Sequence, residues 1–172
     1  MADRLTGILL AGGQSARFGS PKALALLGGE TLAARAWRLL GEACEERIAV
    51  GRTEGLPFPA LEDEGTGPVA AIAAGLREAT HEVAIVVPVD MPLLTAGALR
   101  TLATACREAA VAQAGPLPCA VARSALPAFE SGERRLRTVL AGLDTAHVEL
   151  DERLLANANT PAELAALDAT RV

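Results

Sequence analysis

The sequence is poor in aromatic and metal-binding side chains. Its 172 residues include no tyrosine, one tryptophan, three phenylalanines, two histidines and three cysteines. With so few aromatic side chains, the chain lacks the stacking platforms to which single-stranded nucleic acids bind. The cysteines have neither C-x-x-C spacing nor nearby histidines, which argues against a zinc site and a disulfide framework. We interpret them as small buried residues of a cytoplasmic protein.

Long apolar runs and an excess of positive charge are also absent. Hydrophobic residues make up 51% of the chain, yet no apolar run approaches the roughly 20 residues of a membrane span. The net charge of −5 disfavours a general nucleic-acid-binding protein. The first 38 residues carry five basic and two acidic side chains, so the negative charge lies in the rest of the chain. A local positive site on an acidic protein suits a small anionic ligand, and we expect neither a nucleic-acid nor a membrane partner.

Apolar runs typical of buried strands alternate with segments of helical periodicity. Leu5 to Leu10 and Val83 to Val87 are strand candidates, the second being the expected central parallel strand. The apolar face of a helix that begins at Pro68 is Val69, Ile72, Ala73 and Leu76. This alternation predicts an α/β fold in which a mostly parallel sheet lies between helices. The length suits one domain, so we expect residues 1–172 to form a single domain.

The most informative stretch runs from Leu10 to Lys22 and reads LAGGQSARFGSPK. Gly12 and Gly13 leave backbone amides open to a ligand, and Arg17 and Lys22 add two positive charges, a combination suited to phosphates. The spacing differs from that of a Walker A loop and from the G-x-G-x-x-G dinucleotide fingerprint. A bare Gly-Gly pair is more often an ordinary tight turn, but the spaced residues at positions 15, 17, 19 and 22 favour a phosphate loop.

Asp90 is the second candidate site residue, within the sequence PVDMP. It follows the expected central strand, at the edge of an α/β sheet where ligands bind. A carboxylate at this edge can bind Mg²⁺, which usually takes one or two carboxylates together with substrate phosphates. The alternative is that Asp90 caps the helix after Pro92. The glycine-rich loop beside it favours the metal-binding role.

The pattern LAGG-x-S-x-R-x-G-x-x-K resembles the signature of nucleotidyltransferases with a Rossmann-like fold. These enzymes join a nucleoside triphosphate to a phosphorylated acceptor and release pyrophosphate. PVDMP is similar to their metal-binding motif, and the chain from Leu10 to about Leu164 looks most like the molybdenum cofactor guanylyltransferases, which attach GMP to molybdopterin. The resemblance implies a three-layer α/β/α domain and a GTP-dependent enzyme with Mg²⁺ as its cofactor.

The resemblance also implies roles for individual residues. The residues expected to contact GTP are Leu10, Ala11, Gly12, Gly13, Lys22, Asp63 and Asp90. The residues expected to act in catalysis are Lys22, Arg17 and Asp90, with Asp90 as the metal ligand. Asn159, in the sequence NANTP, and Arg134, in the sequence GERR, would lie on the acceptor side. The alternatives are a solvated acidic pair for Asp63, helix capping for the segment of Asn159, and a solvated helix start for Arg134.

GTP and molybdopterin would be the small-molecule substrates, and the resemblance suggests transient contact with molybdenum cofactor enzymes. A cytidylyltransferase acting on molybdopterin, or on another small phosphorylated acceptor, would share the glycine-rich loop and Asp90. A noncatalytic nucleotide-binding module and a P-loop kinase are further alternatives, the kinase being the weakest because the lysine spacing differs. The sequence leaves the identity of the acceptor open.

Overall fold

The structure is a computed structural model that describes residues 4–12, 21–51, 54–63 and 65–170. In these ranges the strands are β1 (Leu5–Leu10), β2 (Leu26–Leu27), β3 (Glu30–Thr31), β4 (Glu46–Val50), β5 (Val83–Pro88), β6 (Ala109–Ala112), β7 (Cys119–Ala122) and β8 (Thr145–Val148). Six of them form one sheet in the order β4-β1-β5-β7-β6-β8, and β2 pairs with β3 in a small separate hairpin.

The α-helices of the described ranges are α1 (Leu32–Ala43), α2 (Pro68–Glu78), α3 (Ala96–Ala105), α4 (Leu126–Phe129), α5 (Leu136–Ala141) and α6 (Pro161–Ala169). Capping explains where three of them begin, because Thr31, Thr95 and Thr160 each accept a hydrogen bond from the backbone N–H three residues later. In α2, Pro68 occupies the first turn as predicted. None of the helices in the described ranges is long and apolar enough to cross a membrane.

Alternation of side chains along the strands divides the core into two layers. Leu9 and Ile85 pack on one face of the sheet with α1 and α3. Ile8 and Val86 pack on the other face with α2, α4 and α5. The predicted apolar face of α2 is buried in this second layer. The predicted α/β class is therefore confirmed, since the sheet lies between helices on both faces.

The sheet is mostly parallel, as predicted, with β7 as the exception. β1 pairs in parallel with β4 and β5, and β6 pairs in parallel with β8. β7 is antiparallel to both β5 and β6. The connection between β6 and β7 spans residues 113–118, which is too short for the crossover that parallel pairing requires. The expectation that the strand at Val83–Val87 has parallel neighbours is therefore correct only on the side of β1.

The parallel group β4-β1-β5 brings three strand ends to one edge of the sheet. Leu10 is in register with Val50 on one side and with Pro88 on the other. The residues that follow these strands are therefore neighbours, although the chain separates them widely. This edge holds Gly12, Gly51 and Asp90, and ligands of open α/β sheets bind at such an edge.

Candidate active site

The ends of β1 and β4 lie unusually close together. Ala11 donates its backbone N–H to Val50 O at 2.9 Å, which extends the pairing one residue beyond β1. Gly51 has a φ of +141°, and a side-chain carbon at this position would lie 2.7 Å from Gly12 Cα. Both the backbone angle and the close approach therefore require glycine at position 51. The sequence pattern does not reveal this requirement, because it arises between residues far apart in the chain.

Lys22, Asp90 and Asn159 come together at this edge. Lys22 Nζ lies 3.4 Å from Asp90 Oδ2 and 3.1 Å from Asn159 Oδ1. The Lys22 and Asp90 side chains are only 19% and 23% exposed, so water screens their attraction less than it would on the open surface. Three motifs that are separate in the sequence thus contribute to one charged cluster.

The backbone around Asp90 is fixed on both sides. The neighbouring residues Val89 and Met91 are buried, and Ala158 donates its backbone N–H to Asp90 O at 2.8 Å. The alternative role of Asp90 as a helix cap is contradicted. The cap of α3 is Thr95, whose Oγ1 accepts a hydrogen bond from Ala98 N at 3.2 Å. The Asp90 carboxylate is therefore directed to the cluster with Lys22.

The segment of Asn159 combines capping with a contact to the cluster. Thr160 caps α6, since its Oγ1 accepts a hydrogen bond from Glu163 N at 3.1 Å. The residue before it, Asn159, accepts a hydrogen bond from Lys22 through its side-chain oxygen. The capping role and the site contact, which were alternatives at the level of sequence, thus fall on adjacent residues.

Asp63 lies beyond the end of β4, in the wall of a groove of about 530 Å³ along α2. Leu61 carries the chain there along the edge of β4, donating its backbone N–H to Ala49 O and accepting from Gly51 N, each at 2.8 Å. The Asp63 carboxylate accepts a hydrogen bond from the backbone N–H of Gly65. The side chain is therefore held in the wall of the groove, before the start of α2.

An aromatic stack supports the segment that leads to Asp63. The rings of Trp37 and Phe58 are nearly parallel, with their centroids 4.3 Å apart. The Arg47 guanidinium lies 4.5 Å from the centre of the Trp37 ring, and it also donates a hydrogen bond to Trp37 O at 2.9 Å. This stack fastens the segment of Phe58 to α1. The only tryptophan of the sequence thus contributes to packing.

Arg134 lies in the same groove as Asp63, whereas Asn159 lies with Lys22 and Asp90. Arg134 is exposed and directly precedes the region where α5 begins. Its backbone N–H donates to Glu133 Oε1 at 2.8 Å, as does that of Arg135. The pKa of the Glu133 carboxyl is lowered from its ordinary value, mainly because the carboxylate accepts the hydrogen bond from the Arg135 backbone N–H. The two residues predicted for the acceptor side therefore line different parts of the surface.

Two predicted site residues, Gly13 and Arg17, lie outside the described residues. The same holds for Ser15 and Gly19 of the loop signature. Leu10 and Ala11 are buried at the end of β1, and Gly12 is exposed beside them. The described part of the loop thus places its exposed backbone at the same sheet edge as Asp90.

The residues of the cluster fit Mg²⁺ with respect to donor type. Asp90 offers a carboxylate and Asn159 an amide oxygen, both of which are ligands that hard cations prefer. In the described ranges, no group of three or more histidine, cysteine, aspartate or glutamate side chains could hold a metal ion. An ion at Asp90 would therefore need oxygen ligands from a bound substrate, as is usual for Mg²⁺ with nucleotides.

The sheet topology and the charged cluster at its carboxyl edge are those of an α/β protein that binds its ligand at this edge, and comparison with known proteins identifies its family. Residues 7–159 match the family model of the MobA-like NTP transferase domain, and the chain belongs to this family. It is 35% identical over 194 residues to the molybdenum cofactor guanylyltransferase of Burkholderia ambifaria, with 95% of each chain covered.

Two further comparisons agree with this assignment. The probable molybdenum cofactor guanylyltransferase of Deinococcus radiodurans is 35% identical over 181 residues, covering 95% of this chain and 93% of that protein. The crystal structure of molybdopterin-guanine dinucleotide biosynthesis protein A from Archaeoglobus fulgidus has the same fold, with a TM-score of 0.78. Its sequence identity is 23%, with 96% of this chain and 97% of that chain covered. The predicted family resemblance and the Rossmann-like nucleotidyltransferase fold are confirmed.

Proposed function

We propose that this protein transfers GMP from GTP to molybdopterin in a Mg²⁺-dependent reaction, forming molybdopterin guanine dinucleotide and pyrophosphate. The observation that carries the proposal is the contact of Lys22 with both Asp90 and Asn159 at the carboxyl edge of the sheet. The names of relatives that are 35% identical over 95% of the chain support the choice of guanine nucleotide and acceptor.

The reaction needs positioning and charge neutralisation more than proton transfer. An oxygen of the molybdopterin phosphate attacks the α-phosphorus of GTP and forms a new P–O bond. The bond from the α-phosphorus to the oxygen bridging to the β-phosphate breaks, and pyrophosphate leaves with those electrons. The acceptor phosphate is already ionised, so no general base is required. Two anions must nevertheless approach in line, which is the main task of the site.

Lys22, Arg17 and the backbone N–H groups of Gly12 and Gly13 would bind the triphosphate. Their positive charge and N–H groups would offset the charge that develops on pyrophosphate as it leaves. Leu10 and Ala11 would position this backbone, because the Ala11 N–H is already donated to Val50 O. The partial burial of Lys22 supports this role, because a shielded ammonium attracts a phosphate more strongly than an exposed one. Arg17 and Gly13 enter this proposal from the loop signature alone.

Asp90 would hold Mg²⁺, and Asn159 Oδ1, which contacts the same Lys22 ammonium, would offer a second oxygen ligand. When bound there, the metal ion would supply positive charge shared among the phosphate oxygens. The chain fixes the backbone that carries this carboxylate through the hydrogen bond from Ala158 N to Asp90 O and the buried neighbours of Asp90. Arg134 would contact the acceptor from the groove along α2, where its guanidinium suits a phosphate, and Asn159 would contact it from the Lys22 cluster.

Asp63 would recognise guanine. Guanine presents adjacent N1–H and N2–H donors on one edge, and a carboxylate can accept both. Cytosine presents one donor group beside acceptors, so its acceptors would face the carboxylate oxygens, a mismatch worth about 1–3 kcal/mol when desolvated. The position of Asp63 in the wall of the groove along α2 supports this role.

We propose further that residues 1–172 act as a single domain in the cytoplasm and contact molybdenum cofactor enzymes transiently. Coverage of 95% of both chains in the Burkholderia ambifaria comparison supports the single-domain assignment.

Pyrophosphate release from GTP, CTP, ATP and UTP, each with and without molybdopterin, tests the proposal. Release only from GTP and only with molybdopterin is the expected result. Preferential release from CTP would instead identify a molybdopterin cytidylyltransferase. Release from GTP with another phosphorylated acceptor, but not with molybdopterin, would replace the proposed acceptor. If no triphosphate is consumed with any phosphorylated acceptor, the protein is a noncatalytic nucleotide-binding module.

A further inference from the structure

Glu163, in the first turn of α6, departs from the usual capping arrangement. In a capping box the carboxylate at this position reaches back to the backbone N–H of the capping residue, here Thr160. Instead, Glu163 Oε2 accepts a hydrogen bond from the N–H of Asn159, one residue earlier, at 2.6 Å. Thr160 makes its own half of the box, accepting from Glu163 N. The carboxylate therefore fixes the backbone of a residue in the charged cluster.

The contacts continue from Asn159 to the proposed triphosphate-binding lysine. Asn159 Oδ1 is 3.1 Å from Lys22 Nζ, and this ammonium lies 3.4 Å from Asp90 Oδ2. The residue before Asn159, Ala158, is fully buried and hydrogen-bonds through its N–H to Asp90 O. The position of Asn159 is thus set by the Asp90 loop on one side and by Glu163 on the other.

We infer that Glu163 is a positioning residue for Lys22, acting through Asn159. The inference rests on the proposed function for the role of Lys22 toward the triphosphate. The hydrogen bond is charge-assisted, and such bonds are roughly twice as strong as neutral ones. Without it, the Asn159 N–H loses its acceptor, and the amide oxygen that shares Lys22 with Asp90 is no longer held. The ammonium then shifts towards the Asp90 carboxylate and away from the phosphates.

Two substitutions separate this role from the general effect of negative charge at a helix N-terminus. Glu163→Ala removes the acceptor and the charge, whereas Glu163→Gln keeps an oxygen acceptor and loses the charge. We expect GMP transfer to fall about tenfold in kcat/KM for Glu163→Ala, because misplaced cations stabilise the transition state poorly. Glu163→Gln is expected to stay within about threefold of the parent, because the carbonyl oxygen can accept the same N–H.

Thr160→Ala is the matched control for helix stability. It removes the other half of the capping arrangement on α6 but leaves Glu163 in place to accept the Asn159 N–H. We expect it to lower the melting temperature about as much as Glu163→Ala while keeping transfer within about threefold of the parent. Equal losses of transfer in Thr160→Ala and Glu163→Ala would overturn the inference, since helix fraying would then explain both.

A double-mutant cycle with Lys22→Ala gives the decisive measurement. GTP affinity is measured calorimetrically for the parent, the two single variants and the double variant, alongside GMP transfer. If Glu163 acts through Lys22, Glu163→Ala should weaken GTP binding in the parent background and have almost no further effect in the Lys22→Ala background. Additive losses would overturn the inference, because Glu163 would then act independently of Lys22.

The cycle also separates this inference from the proposed function. A protein that binds GTP and shows the non-additive cycle, but transfers no GMP to molybdopterin, supports the positioning role and refutes the proposed reaction. A protein that transfers GMP to molybdopterin but shows an additive cycle supports the proposed reaction and refutes the positioning role of Glu163. If Glu163→Ala fails to fold, the same comparison uses Glu163→Gln and Glu163→Asp. The shorter carboxylate of the aspartate variant should impair GTP binding more than glutamine does.

Discussion

Lys22 stands next to the carboxylate that we propose as the Mg²⁺ ligand, so it should compete with the metal when no nucleotide is bound. At the observed separation of 3.4 Å, the attraction between unit charges is about 5 kcal/mol for an effective dielectric constant near 20. Desolvation and residual screening reduce the net effect of such a partly exposed pair to about 1 kcal/mol. That difference corresponds to about fivefold in an equilibrium constant.

Lys22→Met removes the ammonium and keeps a side chain of similar length. We expect it to bind Mg²⁺ about fivefold more tightly than the parent in the absence of nucleotide. The same change should weaken GTP binding and GMP transfer by ~10²-fold or more, because the cation that holds the triphosphate is lost. One substitution thus has opposite effects on the two ligands, which a general loss of folding cannot produce.

Isothermal titration with Mg²⁺ measures the first effect, and titration with GTP measures the second. Arg107→Met is the matched control, because it also removes one positive charge from an ion pair, the exposed contact of 3.2 Å with Asp144. Its Mg²⁺ affinity should equal that of the parent. The reasoning is refuted if Lys22→Met binds Mg²⁺ no more tightly than the parent. If the added substitution Asp90→Asn leaves the tight binding intact, the metal ion lies elsewhere.

Three further predictions concern other parts of the protein. Asp63→Ala should lose the preference for GTP over CTP in calorimetric titration; equal weakening of both triphosphates would place the carboxylate on the ribose instead. Gly51→Ala should reduce GTP affinity and transfer by ~10²-fold because the new side-chain carbon displaces Gly12. Gly29 also has a positive φ but open space around it, so Gly29→Ala should lower only the melting temperature. Equal activities of Gly51→Ala and Gly29→Ala would contradict the role of the close approach between Gly51 and Gly12. Burial alone would raise the pKa of Glu46, but hydrogen bonds from threonine side chains and a backbone N–H lower it below the ordinary value. The Glu46 carboxylate therefore stabilises the fold at pH values above the ordinary glutamate pKa, and this stabilisation is lost as the pH falls through the lower pKa of the folded state. The unfolding free energies of the parent and Glu46→Gln, measured by urea titration, should therefore converge in acid.

Local patterns in the sequence were sufficient to predict the elements around the site. The continuous apolar run at Leu5–Leu10 predicts β1 with its observed bounds, because a strand buried on both faces needs no polar alternation. Gly67 and Pro68 predict the start of α2, since proline suits a first helical turn. The glycine-rich signature and PVDMP likewise indicated the family, because phosphate binding requires bare backbone and positive charge at set spacings.

The antiparallel direction of β7 and the two-residue strands of the β2–β3 hairpin were not predicted. Direction depends on where a strand finds a neighbour after its connection, and short strands leave too few residues for a periodic signal. The sequence also grouped Asn159 with Arg134, whereas the fold separates them between the Lys22 cluster and the groove along α2.

The sequence by itself determined which chemical groups this protein has and which strands and helices carry them. Only the tertiary structure decided which of those groups meet. Lys22, Asp90 and Asn159 belong to three distant segments, and their contact depends on the parallel pairing of β1 with β5 and on the hydrogen bond from Ala158 to the Asp90 loop. The close approach of Gly51 to Gly12 has no signal in a single sequence for the same reason, because these two residues are neighbours only in space.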